Sequence, residues 1–252
     1  MAAIRYREIA DQLRDAISDG TYRPGDLLPQ QDELMRTHHA SKGTINTAIR
    51  ELRYEGLISR AAQRGRLVVL DNRPVLIDLS LTASTGGGLG PWETACKRAG
   101  MDGRMTVTAA ATVESDPDIA QALQIRTGQP VIRRDRRALL GGQSVMLDTA
   151  FYPASLVEST PLAGEGSVSG GVYAALIDAG LLDPATATTT DMIRSRAATA
   201  REAERLKVRP GSPVLDIERI TRDGEGRPVE LLRRVANGAR VRVVHDARTI
   251  TV

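Results

Sequence analysis

The sequence predicts an α+β chain of two domains, and three observations carry that expectation. Near the front, apolar residues recur at helical spacing and then give way to a short hairpin pattern. The segment Asp71-Asn72-Arg73-Pro74 is polar and ends in proline, as a linker does. Beyond it, a strand-rich pattern repeats itself at an offset of 83 residues. The expected division is residues 1–70, a linker at 71–75, and a second domain over 76–252.

In the front domain Tyr6, Ile9, Ala10, Leu13, Ala16 and Ile17 mark an amphipathic helix that ends at Gly20. Tyr22-Arg23-Pro24-Gly25-Asp26 has proline and glycine at the centre of a type II turn, which leads Leu27 and Leu28 back onto the helices. Glu33, Leu34 and Met35 belong to a short second helix, and His38-His39-Ala40 to the turn after it. Adjacent histidines diverge on any element and no Cys/His set accompanies them, so no metal site is expected. Ile45, Ala48, Ile49 and Leu52 form the apolar stripe of a third helix, N-capped by Ser41 and stopping near Gly56. Its outer face carries Gly43, Asn46, Thr47, Arg50 and Tyr54, which is small, polar and cationic. Ile58 and residues 67–70 read as two strands around the tip Gln63-Arg64-Gly65-Arg66.

Between His38 and Leu70 six Lys/Arg stand against two acids, a local excess of +4, whereas residues 1–72 as a whole hold 11 against 10. Charge concentrated on one helix and the adjacent hairpin is the footprint of contact with a phosphate backbone. The helix alone leaves a solvated amphipathic face as an equal alternative.

Composition narrows the class. At 252 residues, 41% hydrophobic and 26% charged, the chain is that of an ordinary globular protein. Aromatic residues make up only 3%, so the cores rest on Ala, Val, Ile and Leu. The net charge of +3 is compatible with a nucleic-acid partner but weak evidence for one. Cys96 is the only cysteine, which excludes an intrachain disulfide and fits a reducing cytoplasm. No run of 18 apolar residues and no signal-peptide pattern occurs, so no membrane partner is expected.

In the rear half, Val75-Leu76-Ile77-Asp78-Leu79 reads as a strand, and Trp92 to Ala99 as a helix ended by Gly100. The glycine-rich stretch from Gly86 to Gly90 lacks the Gly-Lys-Ser/Thr of a phosphate loop and reads as a plain loop. Ala120, Leu123, Ile125, Gly128, Pro130, Val131 and Arg136 recur as Ala203, Leu206, Val208, Gly211, Pro213, Val214 and Arg219. Each copy predicts a strand, a short helix, a Gly-x-Pro turn, and two strands joined at a turn containing glycine. Together they predict an antiparallel sheet with helices on one face. Val172, Ala175, Leu176 and Ala179 supply a further helix between the copies.

Residues 4–70 resemble the winged helix-turn-helix of GntR-type bacterial transcription regulators. The resemblance rests on the helix Tyr6 to Ile17, Pro24-Gly25-Asp26-Leu27-Leu28-Pro29, Glu33-Leu34, Ser41-Lys42-Gly43-Thr44, Ala48-Ile49-Arg50-Glu51-Leu52 and Glu55-Gly56-Leu57-Ile58. It implies that Lys42, Thr44, Asn46, Thr47, Arg50 and the wing Arg64-Gly65-Arg66 contact a double-stranded DNA operator. Lys42 and Asn46 stand where the family often has Arg, and Gln30-Gln31-Asp32 replaces the usual Ser-Glu-Arg.

The rear half, about residues 75–252, resembles the UTRA effector-binding domain of the HutC-like subfamily, whose fold is similar to chorismate lyase, with its clearest match at Pro130-Val131, Arg136, Gly142, Asp148-Thr149, Tyr152-Pro153 and Leu206 to Glu230. That resemblance implies a small-molecule effector held by Arg136, Asp148 and Glu230, with no cofactor. The family's second pocket Arg falls on Ala138, and its late Tyr-Arg on Val235-Ala236-Asn237, departures that count against a sugar phosphate.

Catalysis is not expected: Cys96 has no motif around it, His245 is isolated, and no Gly-x-Ser-x-Gly occurs. The resulting expectation is a cytoplasmic homodimer that binds a palindromic operator as a repressor and is released by an effector. The alternatives are a constitutive DNA-binding repressor with a ligand-insensitive dimerisation domain and, less favoured, an enzyme of chorismate-lyase-like fold.

Overall fold

The structure is a computed structural model that describes residues 2–61, 66–78 and 89–244. It separates into two compact units, with the division between Arg73 and Pro74. In the first unit α1 (Ala2–Ser18), α2 (Gln31–Thr37) and α3 (Lys42–Tyr54) surround a core of Ile9, Leu13, Leu28, Leu34, Ile45, Ala48 and Leu52. β1 (Ile58–Arg60) pairs antiparallel with β2 (Leu67–Val69), and Ile58 and Val69 close that core from the hairpin side.

Local chemistry explains the boundaries. Gly25 holds φ at +95°, and the Asp26 N–H donates to the Arg23 carbonyl at 2.9 Å, which is the expected type II turn. Ser41 Oγ accepts from the Thr44 N–H at 3.3 Å and caps α3, whereas Gln30 precedes α2 without a side-chain cap bond. Leu52 is fully buried on the inner stripe of α3. Leu52→Ala is therefore expected to cost about 2–5 kcal/mol, measured by urea unfolding of the full chain.

The second unit is built on a six-stranded antiparallel sheet. Its strands are β4 (Gly103–Glu114), β5 (Pro130–Leu140), β6 (Gln143–Pro153), β7 (Thr188–Ala197), β8 (Pro213–Arg222) and β9 (Pro228–Asn237), in the order β4-β5-β6-β9-β8-β7. The order is palindromic in the two sequence copies, so β6 and β9 meet at the centre. α5 (Pro117–Leu123) and α8 (Ala200–Leu206) occupy equivalent places in the copies. Asp116 caps α5 by accepting from the Ile119 N–H at 2.8 Å. Ile119 and Leu123 pack on Val131, Phe151 and Leu231, one face of the sheet. The other face is covered by α6 (Ala154–Val157), a 3-10 turn (Pro161–Ala163) and α7 (Val172–Asp178), through Val157, Leu162, Val172 and Leu176.

The sequence reading did not anticipate one pairing. β3 (Val75–Asp78) lies parallel to β10 (Val241–Val244), a two-stranded sheet outside the main one. With α4 (Pro91–Arg98) it buries Val75, Trp92, Cys96 and Val241 against Ala138 and Met146. Gly103 is pressed against this cluster, and a Cβ there would overlap Cys96 Sγ and Cβ. Gly103→Ala is expected to destabilise by about 1–3 kcal/mol, read as a lower melting temperature. Burial pushes the Cys96 thiol up to about 12, so it stays protonated and unreactive at neutral pH.

Candidate functional site

The first unit presents a cationic groove. The inner stripe of α3 is buried through Ile45, Ala48 and Leu52, which turns Lys42, Asn46 and Arg50 outward. These three, with Arg53, Arg60 and Arg66 from the helix end and the hairpin, line a concave surface of about 730 Å³. Gln31 and Asp32 at the start of α2 form its opposite rim. Thr44 Oγ1 lies 2.9 Å from Ser41 Oγ, and Thr47 Oγ1 donates to the Gly43 carbonyl at 3.0 Å, so both hydroxyls are engaged by the helix itself. Thr47 is half-buried and Asn46 exposed. Arg64 and Gly65 lie outside the described residues.

The second unit holds a cavity of about 470 Å³ on the sheet face that carries α7. Strand alternation brings Arg134 and Arg136 of β5, Asp148 of β6, Glu230 and Arg234 of β9 and Arg219 of β8 to its wall. Arg136, Asp148 and Glu230, the three residues named from the sequence, line this one cavity. Trp92, Met105, Val107, Met146, Val172 and Leu232 make the rest largely apolar.

The polar wall is a linked set of ion pairs. Asp148 accepts from Arg234 Nε and Nη2, each at 2.8 Å, and from Arg136 Nη2 at 3.2 Å. Burial alone would raise the Asp148 carboxyl, but Arg234 and then Arg136 outweigh it and hold the group below the usual carboxylate range. Arg219 donates to both oxygens of Asp191 at 2.7 and 2.8 Å. Glu230 accepts from the Tyr152 hydroxyl at 2.7 Å and from Thr221 Oγ1 at 3.1 Å. Burial, and then the Glu230 charge, push the Tyr152 phenol well above its ordinary value, so it remains a donor.

Arg134 differs from its neighbours. It is 1% exposed and donates to the backbone carbonyls of Leu162, Gly164 and Gly166, and it forms no ion pair among the described residues. Its Nε and that of Arg136 are both buried without an acceptor. Sequence reasoning missed Arg134, Arg219 and Arg234. It also read Ala138 as the loss of a second guanidinium, but Arg134, two residues before Arg136 on the same face, supplies one. An Arg-x-Arg pair at strand spacing was the signal available.

Comparison with known proteins matches both parts of the chain. Residues 5–68 match the family described as bacterial regulatory proteins, gntR family, and residues 98–242 match the UTRA domain. The chain belongs to the GntR family and carries a UTRA domain. An uncharacterized HTH-type transcriptional regulator of Streptomyces coelicolor is 30% identical over 97% of this chain and 93% of its own length. The HTH-type transcriptional repressor PhnF of Mycolicibacterium smegmatis is 26% identical over 90% of this chain and 86% of its own. The crystal structure of PhnF from Mycobacterium smegmatis superposes with a TM-score of 0.61 at 23% identity, over 96% of this chain and all of that one, and shows the same fold. This GntR-family chain is a ligand-responsive, DNA-binding transcription regulator and not an enzyme. No helix among the described residues is long and apolar enough to cross a membrane.

Proposed function

We propose that the chain is a homodimeric repressor that binds a palindromic operator and is released when a small anionic effector fills the cavity of its UTRA domain. The observation that carries this reading is the pair of buried guanidinium groups, Arg134 and Arg136, on the wall of the cavity, whose Nε–H donors have no acceptor. A buried unpaired donor costs about 1–3 kcal/mol, and a carboxylate or phosphate oxygen on a ligand would recover that energy. Arg136, Asp148 and Glu230 are the proposed effector residues, with Arg134 beside them. Arg134 adds a second cation to the wall, but its terminal nitrogens are held by the Leu162, Gly164 and Gly166 carbonyls, so the wall favours a small anion such as a carboxylate over a bidentately clamped sugar phosphate.

On the DNA side, Lys42, Thr44, Asn46, Thr47, Arg50 and the wing Arg64, Gly65 and Arg66 are the proposed contacts. α3 would enter the major groove, and two copies would meet half-sites about one helical turn apart or slightly closer. Exposed Met192 and Ile193 on the outer strand β7 favour pairing through the second unit. A DNA partner supports the expected cytoplasmic location. Effector binding would favour a dimer whose reading helices no longer match the half-site spacing, by a coupling of about 1–3 kcal/mol.

The test combines operator binding with a thermal-shift screen of carboxylates and phosphorylated sugars. A true effector should raise the melting temperature and weaken operator binding about 5- to 150-fold. Arg136→Ala is expected to keep operator affinity and lose the response to the effector. Operator binding that ignores every stabilising ligand would favour the constitutive repressor instead.

A further inference from the structure

The groove of the first unit contains a contact that the charge pattern does not explain. Gln31 Nε2, at the start of α2, donates to Asn46 Oδ1 on the outer face of α3 at 2.6 Å. Both residues line the groove among Lys42, Arg50 and Arg66. The bond is solvent-facing, so it adds little to stability. Its consequence is chemical: it decides which atoms of Asn46 face outward.

A free asparagine amide offers one acceptor and two donors, which pairs bidentately with N6–H and N7 of adenine in the major groove. Gln31 takes one of the two lone pairs of Oδ1 and crowds the approach to the other, so the Nδ2 donors are what Asn46 offers without competition. A donor-only reader fits base edges that carry only acceptors, and guanine, with N7 and O6 side by side, presents two of them.

We propose that Gln31 and Asn46 act as one base-reading unit, in which Gln31 converts Asn46 from an adenine reader into a guanine reader. The proposal rests on the placement of α3 in the major groove. It makes Gln31, which does not lie on the reading helix, a specificity-determining residue. Lys42, Arg50 and Arg66 supply affinity through phosphates, and the amide pair supplies sequence.

The experiment uses the full chain. A duplex pool carrying a randomised inverted repeat is selected with the wild type, and affinities for all four bases at each half-site position are measured by fluorescence anisotropy. The position where Asn46→Ala loses discrimination is the one that Asn46 reads, and the wild type is expected to prefer guanine there. Gln31→Ala frees Oδ1 and should move the preference at that position towards adenine, changing the guanine-to-adenine affinity ratio about tenfold. Gln31→Glu removes the donor and draws the Asn46 amine to itself, so it should also favour adenine. Neither uncharged position should change the salt dependence when replaced by Ala.

An identical base preference in the wild type and both Gln31 variants would overturn the proposal. So would a wild-type preference for adenine, discrimination that survives Asn46→Ala, or a wild type that enriches no sequence. The last outcome would also remove the assignment of α3 to the major groove, whereas the others leave it standing. Both side chains lie at the solvent-facing groove, so unchanged melting temperatures will verify that each variant is folded.

Discussion

Asp148→Asn is expected to lower the melting temperature of the second unit by roughly 10 °C. The Asp148 side chain is 1% exposed and serves two buried guanidinium groups, Arg234 through two bonds and Arg136 through one. Removing the charge leaves both cations in a low-dielectric wall without compensation, which costs about 3–5 kcal/mol. For a unit of this size each kcal/mol moves the midpoint by roughly 2–4 °C. Calorimetry on the full chain should show the loss in the transition of the second unit, with that of the first unchanged.

The pH dependence has a definite sign. The folded state holds the Asp148 carboxyl below its ordinary range, so its contribution is complete above the unfolded value, about 4, and fades as pH falls through the folded one. The gap between wild type and Asp148→Asn should therefore be widest near neutrality and close in acid. A gap that stays constant below pH 4 would contradict the ion-pair account.

Lys42→Ala combined with Arg66→Ala is expected to weaken operator binding roughly thirtyfold at physiological salt. Each phosphate contact contributes a slope of about −0.9 in log affinity against log salt. Losing two contacts should flatten that slope by about 1.8, and counterion release accounts for most of the lost affinity. Lys42 is exposed and Arg66 half-buried on the groove wall, so the fold should tolerate both changes. Weaker binding with an unchanged slope would mean that these side chains touch bases rather than phosphates. Arg50 in the same groove gives an internal comparison, because Arg50→Ala alone should lower the slope by about 0.9.

The reading of the first unit from sequence worked because its signals are local. Ile45, Ala48 and Leu52 recur at one helical period, and Pro24-Gly25 dictates a turn from two residues. The repeat at an offset of 83 residues likewise predicted every strand of the six-stranded sheet, because Gly128-Gln129-Pro130 and Gly211-Ser212-Pro213 punctuate both copies alike.

What escaped was long-range. In Arg133-Arg134-Asp135-Arg136-Arg137 the partners of the inward-facing members are fixed only by the register with β6, which sets Asp148 opposite Arg136. Arg234 joins Asp148 across 86 residues of chain, and no local pattern announces that. The β3–β10 pair is four residues long on each side and joins segments far apart in sequence, Val75 opposite Val241, that meet only in three dimensions.

The duplicated sheet carries a last implication. At matched places in its two halves, Arg134 answers to Ile217, and Asp148 beside Arg136 answers to Leu232 beside Arg219. Had the halves stayed alike, a guest molecule could lodge in either of two mirrored poses. Divergence gave the two flanks different charged groups, Arg134, Arg136 and Asp148 on one and Arg219, Glu230 and Arg234 on the other, so an unsymmetrical metabolite should be accepted in one orientation and its reversed analogue refused.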